Sequence, residues 1–158
     1  VLLRNRAEGL SCRQGPRFLR MYWLLIDSQS TDHLICNRAL LRNIRPAPKP
    51  LKLHCNAGWV ILTEIGDLPG VGEVYYDPNG IANILSMAKI AQDFKVTYDS
   101  SNGNKFIVSR ESTGTYREFK QSPNGLYYHD LREDLARDDG VAFVNTVDEN
   151  KSKYSRRA

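Results

Sequence analysis

The residue best placed to do chemistry is Asp27, which ends the apolar run Tyr22-Trp23-Leu24-Leu25-Ile26 and is followed by Ser28, Gln29, Ser30 and Thr31. A carboxylate at the end of a buried strand is held rigidly, and nearby hydroxyls and backbone amides can hydrogen-bond it. Such a group can act as a general base on water when a second carboxylate lies beside it and shares a proton. No other position in the chain repeats the Asp-Ser-x-Ser sequence. A pair therefore needs two copies related by a two-fold axis, each giving its Asp27. An Asp after a strand also serves as a turn or cap residue, and that is its commoner role. The residues alone leave both readings open.

Other chemistries are poorly provided for. His33, His54, His129, Cys36 and Cys55 could ligate a metal, but His54 and Cys55 are neighbours on an expected strand and point to opposite faces, which works against a shared ion. The glycines Gly66, Gly70 and Gly72 lack the Lys-Ser/Thr of a phosphate loop and precede a strand instead of a helix. The segment from Asp99 departs from a calcium loop, with Asn104 at its sixth position and Arg110 at its twelfth. Neither a cofactor nor a metal is expected.

The elements that must position Asp27 read as mostly β. Residues 22–26 form a buried strand, cut off by the polar stretch 27–32, and 34–36 is a second candidate. Pro46, Pro48 and Pro50 punctuate a loop before 51–55, where polar and apolar residues alternate. Asn56, Ala57 and Gly58 tolerate positive φ and Trp59 opens another β-rich run, so 51–63 reads as a hairpin with its tip at Ala57. A strand over 73–76 is closed by the turn sequence Asp77-Pro78-Asn79-Gly80. Ile84, Met87, Ala88, Ala91 and Phe94 fall on one face at helical spacing, with Asn83 as the expected N-cap. Two further hairpins follow, 96–98 with 106–108 around Asn102-Gly103, and 116–119 with 126–128 around Asn124-Gly125. Asp130 and Glu133 could box a short helix through Leu131, Leu135 and Ala136.

The bulk properties agree with one modest domain. At 158 residues, 41% hydrophobic and 25% charged, the chain can build a core and is not wholesale disordered. Its apolar runs are far shorter than the roughly 20 residues of a membrane-spanning helix, so no membrane partner is expected. The net charge of +4 lies entirely in residues 1–20, where five arginines face Glu8 alone. That leader and the basic end at Lys151, Lys153, Arg156 and Arg157 could touch nucleic acid weakly, but the aromatic residues do not interleave with them. Cys12, Cys36 and Cys55 are odd in number and widely spaced, which fits a reducing compartment. Without a start Met, the chain reads as part of a longer product.

The order of these pieces resembles the retroviral-type (retropepsin-like) aspartic protease segment of a copia-type LTR retrotransposon polyprotein. The stretch Trp23-Leu24-Leu25-Ile26-Asp27-Ser28-Gln29-Ser30-Thr31 is similar to that family's apolar strand and Asp-Ser/Thr-Gly-Ala/Ser signature. The 51–63 hairpin, with Asn56-Ala57-Gly58 at its tip and Trp59 beside it, resembles the family's flap. Gly70-Val71-Gly72-Glu73-Val74 followed by Asn83-Ile84-Leu85-Ser86-Met87 resembles a copia pattern in which Asn-Leu-Leu-Ser opens a helix, here 84–94. Asn124-Gly125-Leu126-Tyr127-Tyr128 looks like a short motif found between protease and integrase.

The resemblance implies a mainly β, small closed barrel-like fold with a flap hairpin and one main α-helix, active as a homodimer. Residues 1–21 would be a basic lead-in or linker, 22–128 the protease domain, and 129–158 a polar linker toward an integrase-side region. The activity implied is endoproteolysis of an extended polyprotein segment, by water activated between two Asp27 carboxylates. Ser28, Gln29, Ser30 and Thr31 would form the active-site loop, and Asn56, Ala57, Gly58 and Trp59 the flap over the substrate. The implied location is the cytoplasm, with virus-like particles as a further site. Gln29 stands where the signature has Gly, a residue that lets the loop turn tightly and lets two such loops approach. An inactive protease-like dimerisation module is therefore the alternative, with a nucleic-acid-binding fragment behind it.

Overall fold

Short β-rich runs must pair their backbone polar groups before they can be buried, and the computed structural model, which describes residues 20–55 and 58–135, pairs them in one mainly β sheet. Its strands are β1 (Trp23–Asp27), β2 (Leu34–Ile35), β3 (Arg42–Cys55), β4 (Gly58–Leu68), β5 (Gly72–Tyr76), β6 (Asn83–Ser86), β7 (Lys95–Asp99), β8 (Lys105–Arg110), β9 (Thr115–Gln121) and β10 (Tyr127–Asp130). Among the described residues two short α-helices accompany them, α1 (Met87–Asp93) and α2 (Leu131–Leu135). The hydrogen-bonded order is β3-β4-β5-β2-β6-β1-β10-β9-β8-β7. With β3 and β7 as its two edges, the sheet of a single chain is open. No helix among the described residues is long and apolar enough to cross a membrane.

β1 lies near the middle, parallel to β6 on one side and antiparallel to β10 on the other. Its three central residues, Leu24, Leu25 and Ile26, are all buried, as a strand covered on both faces requires. One contiguous core takes Leu24 and Ile26 from β1, Ile35 from β2, Leu85 from β6, Ile90 from α1, Val108 from β8 and Phe119 from β9. Each such side chain contributes about 1.5–3 kcal/mol relative to exposure. That the same cluster draws on both halves of the sheet requires the sheet to curl around it, as long twisted sheets do.

Three expectations are corrected here. The prolines at 46, 48 and 50 do not interrupt the strand, because β3 is an edge and its register shifts between Arg42 and Arg45 and again between Pro46 and Leu51. Edges and bulges are the places where a missing N–H does no harm. Asn43, at φ 51°, supplies the left-handed residue inside the first shift. Next, the helix begins at Met87 and is capped by Ser86, whose Oγ accepts the Lys89 N–H, while Asn83, Ile84 and Leu85 belong to β6. All four residues of β6 are buried, which suits a strand between two others and not one face of a surface helix. Finally, the ordered elements continue past residue 128: His129 and Asp130 complete β10, and Leu131 packs into the core. The expected short helix is α2, whose first turn is capped by Asp130 through the Arg132 N–H. Asn56 and Ala57, the expected hairpin tip, lie outside the described residues, although β3 and β4 remain in register up to Cys55 and Gly58.

Candidate active site

The parallel pairing of β1 with β6 brings Asp27 opposite Ser86, so both strands deliver their last residue to the same end of the sheet. Asp27 is half-buried, and its Oδ1 accepts the Gln29 N–H at 2.9 Å, closing a tight turn. Gln29 itself is exposed and is not among the residues with positive φ. The loop thus admits a Cβ at this position without backbone strain. Ser28 is exposed beside it.

Asp27 opens onto a cleft of about 260 Å³ lined by Leu25, Met87, Phe106, Leu126 and Tyr127 together with the Asp27 turn. Phe106 and Tyr127 meet edge to face, with centroids 4.8 Å apart, and the Tyr127 hydroxyl lies 3.1 Å from that of Tyr98. That hydroxyl contact holds the Tyr127 phenol above its ordinary pKa. The wall is apolar with a polar rim, a form suited to an uncharged, bulky side chain.

The far half of the loop is held by different groups. Ser30 Oγ donates to the Asp32 carbonyl at 2.8 Å, and Thr31 Oγ1 donates to the Asp32 carboxylate at 3.0 Å. Asp32 also pairs with Lys89 of α1 at 2.8 Å. Burial alone would raise the Asp32 pKa, but the Lys89 ammonium and the Thr31 hydroxyl outweigh it and hold the carboxyl below its usual value. Next to it, buried His33 accepts the Ser86 N–H on Nδ1 at 3.0 Å. Burial, reinforced by Lys89 and opposed by Asp32, lowers the His33 pKa to about 4.

Asn83, fully buried, fastens the strands that carry the site. Its Oδ1 accepts the N–H groups of Cys36 (3.1 Å) and Asn37 (3.0 Å), and its Nδ2 donates to the carbonyls of Met21 (2.8 Å) and Trp23 (3.1 Å). One side chain thereby joins the start of β1, the end of β2 and β6.

Of the loop residues singled out in the sequence, Asp27, Ser28 and Gln29 gather at the cleft, while Ser30 and Thr31 brace Asp32 instead. Gly58, at φ 123°, and Trp59, 58% exposed under the Lys52 ammonium at 4.4 Å, stand on the β3–β4 hairpin. Among the described residues, none of that hairpin lines the Asp27 cleft. His33, His54 and His129 are dispersed: His33 bonds Ser86, His54 sits exposed opposite Trp59, and His129 bonds Asp134 at 2.9 Å.

Sequence reasoning passed over Asp32, His33 and Lys89 as parts of the site, and took Asn83 for a cap. The available signal was the density of polar residues in 27–33 next to a buried strand, since polar groups drawn inward must find partners. Phe106 and Tyr127 could not be placed at the cleft from their own hairpins, because only the β1–β10 pairing carries them there. Compared with protein-family models, curated proteins and solved structures, the chain matches none.

Proposed function

We propose that the chain is an aspartic endopeptidase that works as a homodimer. The observation that carries this reading is the placement of Asp27 at the end of a buried strand, beside the end of a parallel strand and facing an apolar cleft. In this reading the curled sheet takes the barrel-like form of retropepsin-like proteases, and two copies bring their Asp27 turns together across a two-fold axis. One carboxylate of the pair is then ionised and one protonated, because two adjacent negative charges are costly. The ionised carboxylate takes a proton from water, the resulting hydroxide adds to the peptide carbonyl carbon, and the protonated carboxyl gives its proton to the carbonyl oxygen. Collapse of the diol breaks the C–N bond as the nitrogen receives a proton. Leu25, Met87, Phe106 and Tyr127 form the apolar wall for a substrate side chain, and the β3–β4 hairpin is the candidate flap.

The exposed Gln29 favours a second reading, in which its bulk keeps two Asp27 turns apart and the chain serves only for dimerisation. One experiment separates them. The protein and Asp27→Asn are incubated with a pooled library of quenched fluorescent peptides at about pH 4 to 7, from the ordinary carboxyl range to neutrality, while sedimentation reports the oligomeric state. Cleavage abolished by Asp27→Asn supports the protease. A dimer without cleavage supports the module, and a monomer without cleavage refutes both.

A further inference from the structure

The loop from β1 to β2 is fastened mainly at the end away from Asp27. Asp32 gathers Ser30 and Thr31 through their hydroxyls and then pairs with Lys89, in the first turn of α1. Its neighbour His33 takes the Ser86 amide. Ser86 is itself fully buried, caps α1 by accepting the Lys89 N–H at 3.3 Å, and is the register partner of Asp27. The loop therefore leaves β1 beside Ser86 and returns to Ser86 through His33, a closed circuit that runs from the end of β1 through the loop to the end of β6. We infer that Asp32 and His33 are positioning residues, clamping the loop to the first turn of α1 and so setting where the Asp27 carboxylate stands. This rests on the aspartic reading of Asp27, for which small displacements matter.

The clamp has a chemical condition. An imidazole nitrogen that accepts an amide proton must be unprotonated, so His33 is neutral with its hydrogen on Nε2. Adding a proton to Nδ1 would set two donors against each other and break the bond to Ser86. The charged groups facing His33 are Lys89 from α1 and Asp32 from its own loop. β5 meets it through the Tyr75 N–H, which donates to the His33 carbonyl at 3.1 Å, and β6 through the Ser86 amide. Burial and Lys89 keep the ring neutral until about pH 4. The clamp thus holds through the mildly acidic range and opens below it.

The test uses the full chain as wild type, His33→Asn, His33→Leu and Lys89→Met. Asn keeps an acceptor near the Nδ1 position and does not titrate; Leu removes the acceptor. Backbone amide resonances are followed by NMR from about pH 7 to about pH 3, spanning the ordinary range of carboxyl and imidazole groups. Carboxyl groups as a class titrate in this range too, so the comparison is between proteins. The expected result is a shared transition of Ser86, Ser28, Gln29 and Ser30 in the wild type, which loses its His33 component at all four amides in His33→Asn. Loop shifts identical in the two proteins, with only Ser86 altered, overturn the positioning role.

Cleavage of the peptide pool gives the second readout. Lys89→Met and His33→Leu are expected to lose about 10- to 100-fold in kcat with KM little changed, the signature of a misplaced reacting group. His33→Asn is expected to keep its rate further into acid than the wild type. A loss in KM alone, or an unchanged acid limb in His33→Asn, refutes the inference. Should His33→Leu fail to fold, Lys89→Met and His33→Asn carry the test. Should the wild type cleave nothing, the aspartic reading fails, while the amide shifts still decide whether the clamp places the loop.

Discussion

Replacing Asn83 tests the construction of the site most severely. Asn83→Leu keeps the volume roughly and removes every hydrogen bond, leaving the amides of Cys36 and Asn37 and the carbonyls of Met21 and Trp23 without their side-chain partner. A buried polar group stripped of its partner costs about 1–3 kcal/mol, so the two amides alone cost about 2–6 kcal/mol. Against a domain stability of about 5–15 kcal/mol, that is a large share of the total, and a protein at the low end of the range would unfold in a substantial fraction of molecules. Asn83→Asp is the sharper probe. One carboxylate oxygen still accepts from Cys36 and Asn37, while the other replaces a donor that lies 2.8 Å and 3.1 Å from two carbonyl oxygens. Ionised, it repels both; protonated, it can donate to one. The folded state therefore raises the pKa of the introduced carboxyl above its unfolded value of about 4. A raised folded pKa gives stability at low pH that is lost as pH climbs through it, by about 1.4 kcal/mol for every tenfold change in the proton-binding constant. Urea denaturation of wild type and Asn83→Asp at about pH 4 and about pH 7 reads the difference, and groups common to both proteins cancel. The variant should approach the wild type in acid and fall behind it at neutrality. A gap that narrows toward neutral pH, or an Asn83→Leu variant within about 1 kcal/mol of wild type, would refute the reasoning, the smaller loss lying at the low end for even one orphaned amide.

The other predictions are simpler. His33 has a folded pKa of about 4 against an ordinary 6.5, so the unfolded chain binds the extra proton between those values and stability rises with pH across that window. The effect is about 3 kcal/mol at most, and in His33→Asn that part of the urea-midpoint slope should vanish; an unchanged slope places the titration elsewhere. In the buried trio at the end of the domain, Arg117 Nε lies 2.8 Å from Asp134 Oδ1, which also meets His129. Asp134→Leu should cost about 3–5 kcal/mol, and adding Arg117→Met should recover most of it, because a buried cation is costlier without its counter-charge than an apolar replacement of both. Equal stability of the single and double variants in denaturant melts would contradict this. Gln29→Gly relieves no strain, since Gln29 is not at positive φ; it should lower stability by about 0.4–1 kcal/mol through the freer unfolded chain. A rise in melting temperature would mean that the native turn does want a glycine.

Where the sequence could be read, and where it could not, follows from the range of the interactions involved. β1 was legible because its apolar run ends sharply at Asp27, and the β7–β8 hairpin because Asn102-Gly103 is a local turn signal; Gly103 has φ 81°. β6 misled because Ile84 and Met87 do lie at helical spacing. Two successive elements, a buried strand and a helix capped at Ser86, happen to share one periodic pattern, and only the slots beside β1 and β2 decide where one gives way to the other. β3 misled for the converse reason, since prolines break an interior strand but not an edge, and edge position is a property of the whole sheet. The same distinction governs the candidate site. Asp27 and its turn are local and could be named from spacing, whereas the groups that fasten the turn reach it across 53 residues from His33 to Ser86 and 57 from Asp32 to Lys89. Such pairs leave no periodic trace. What the sequence does carry is an excess of polar residues beside a buried strand, and in a folded chain that excess implies partners. Gln29 is a local feature too, and the turn holds it without positive φ. In the proposed homodimer, the consequence of a Gln at this position would therefore lie between the two copies, where the side chain would meet its own image.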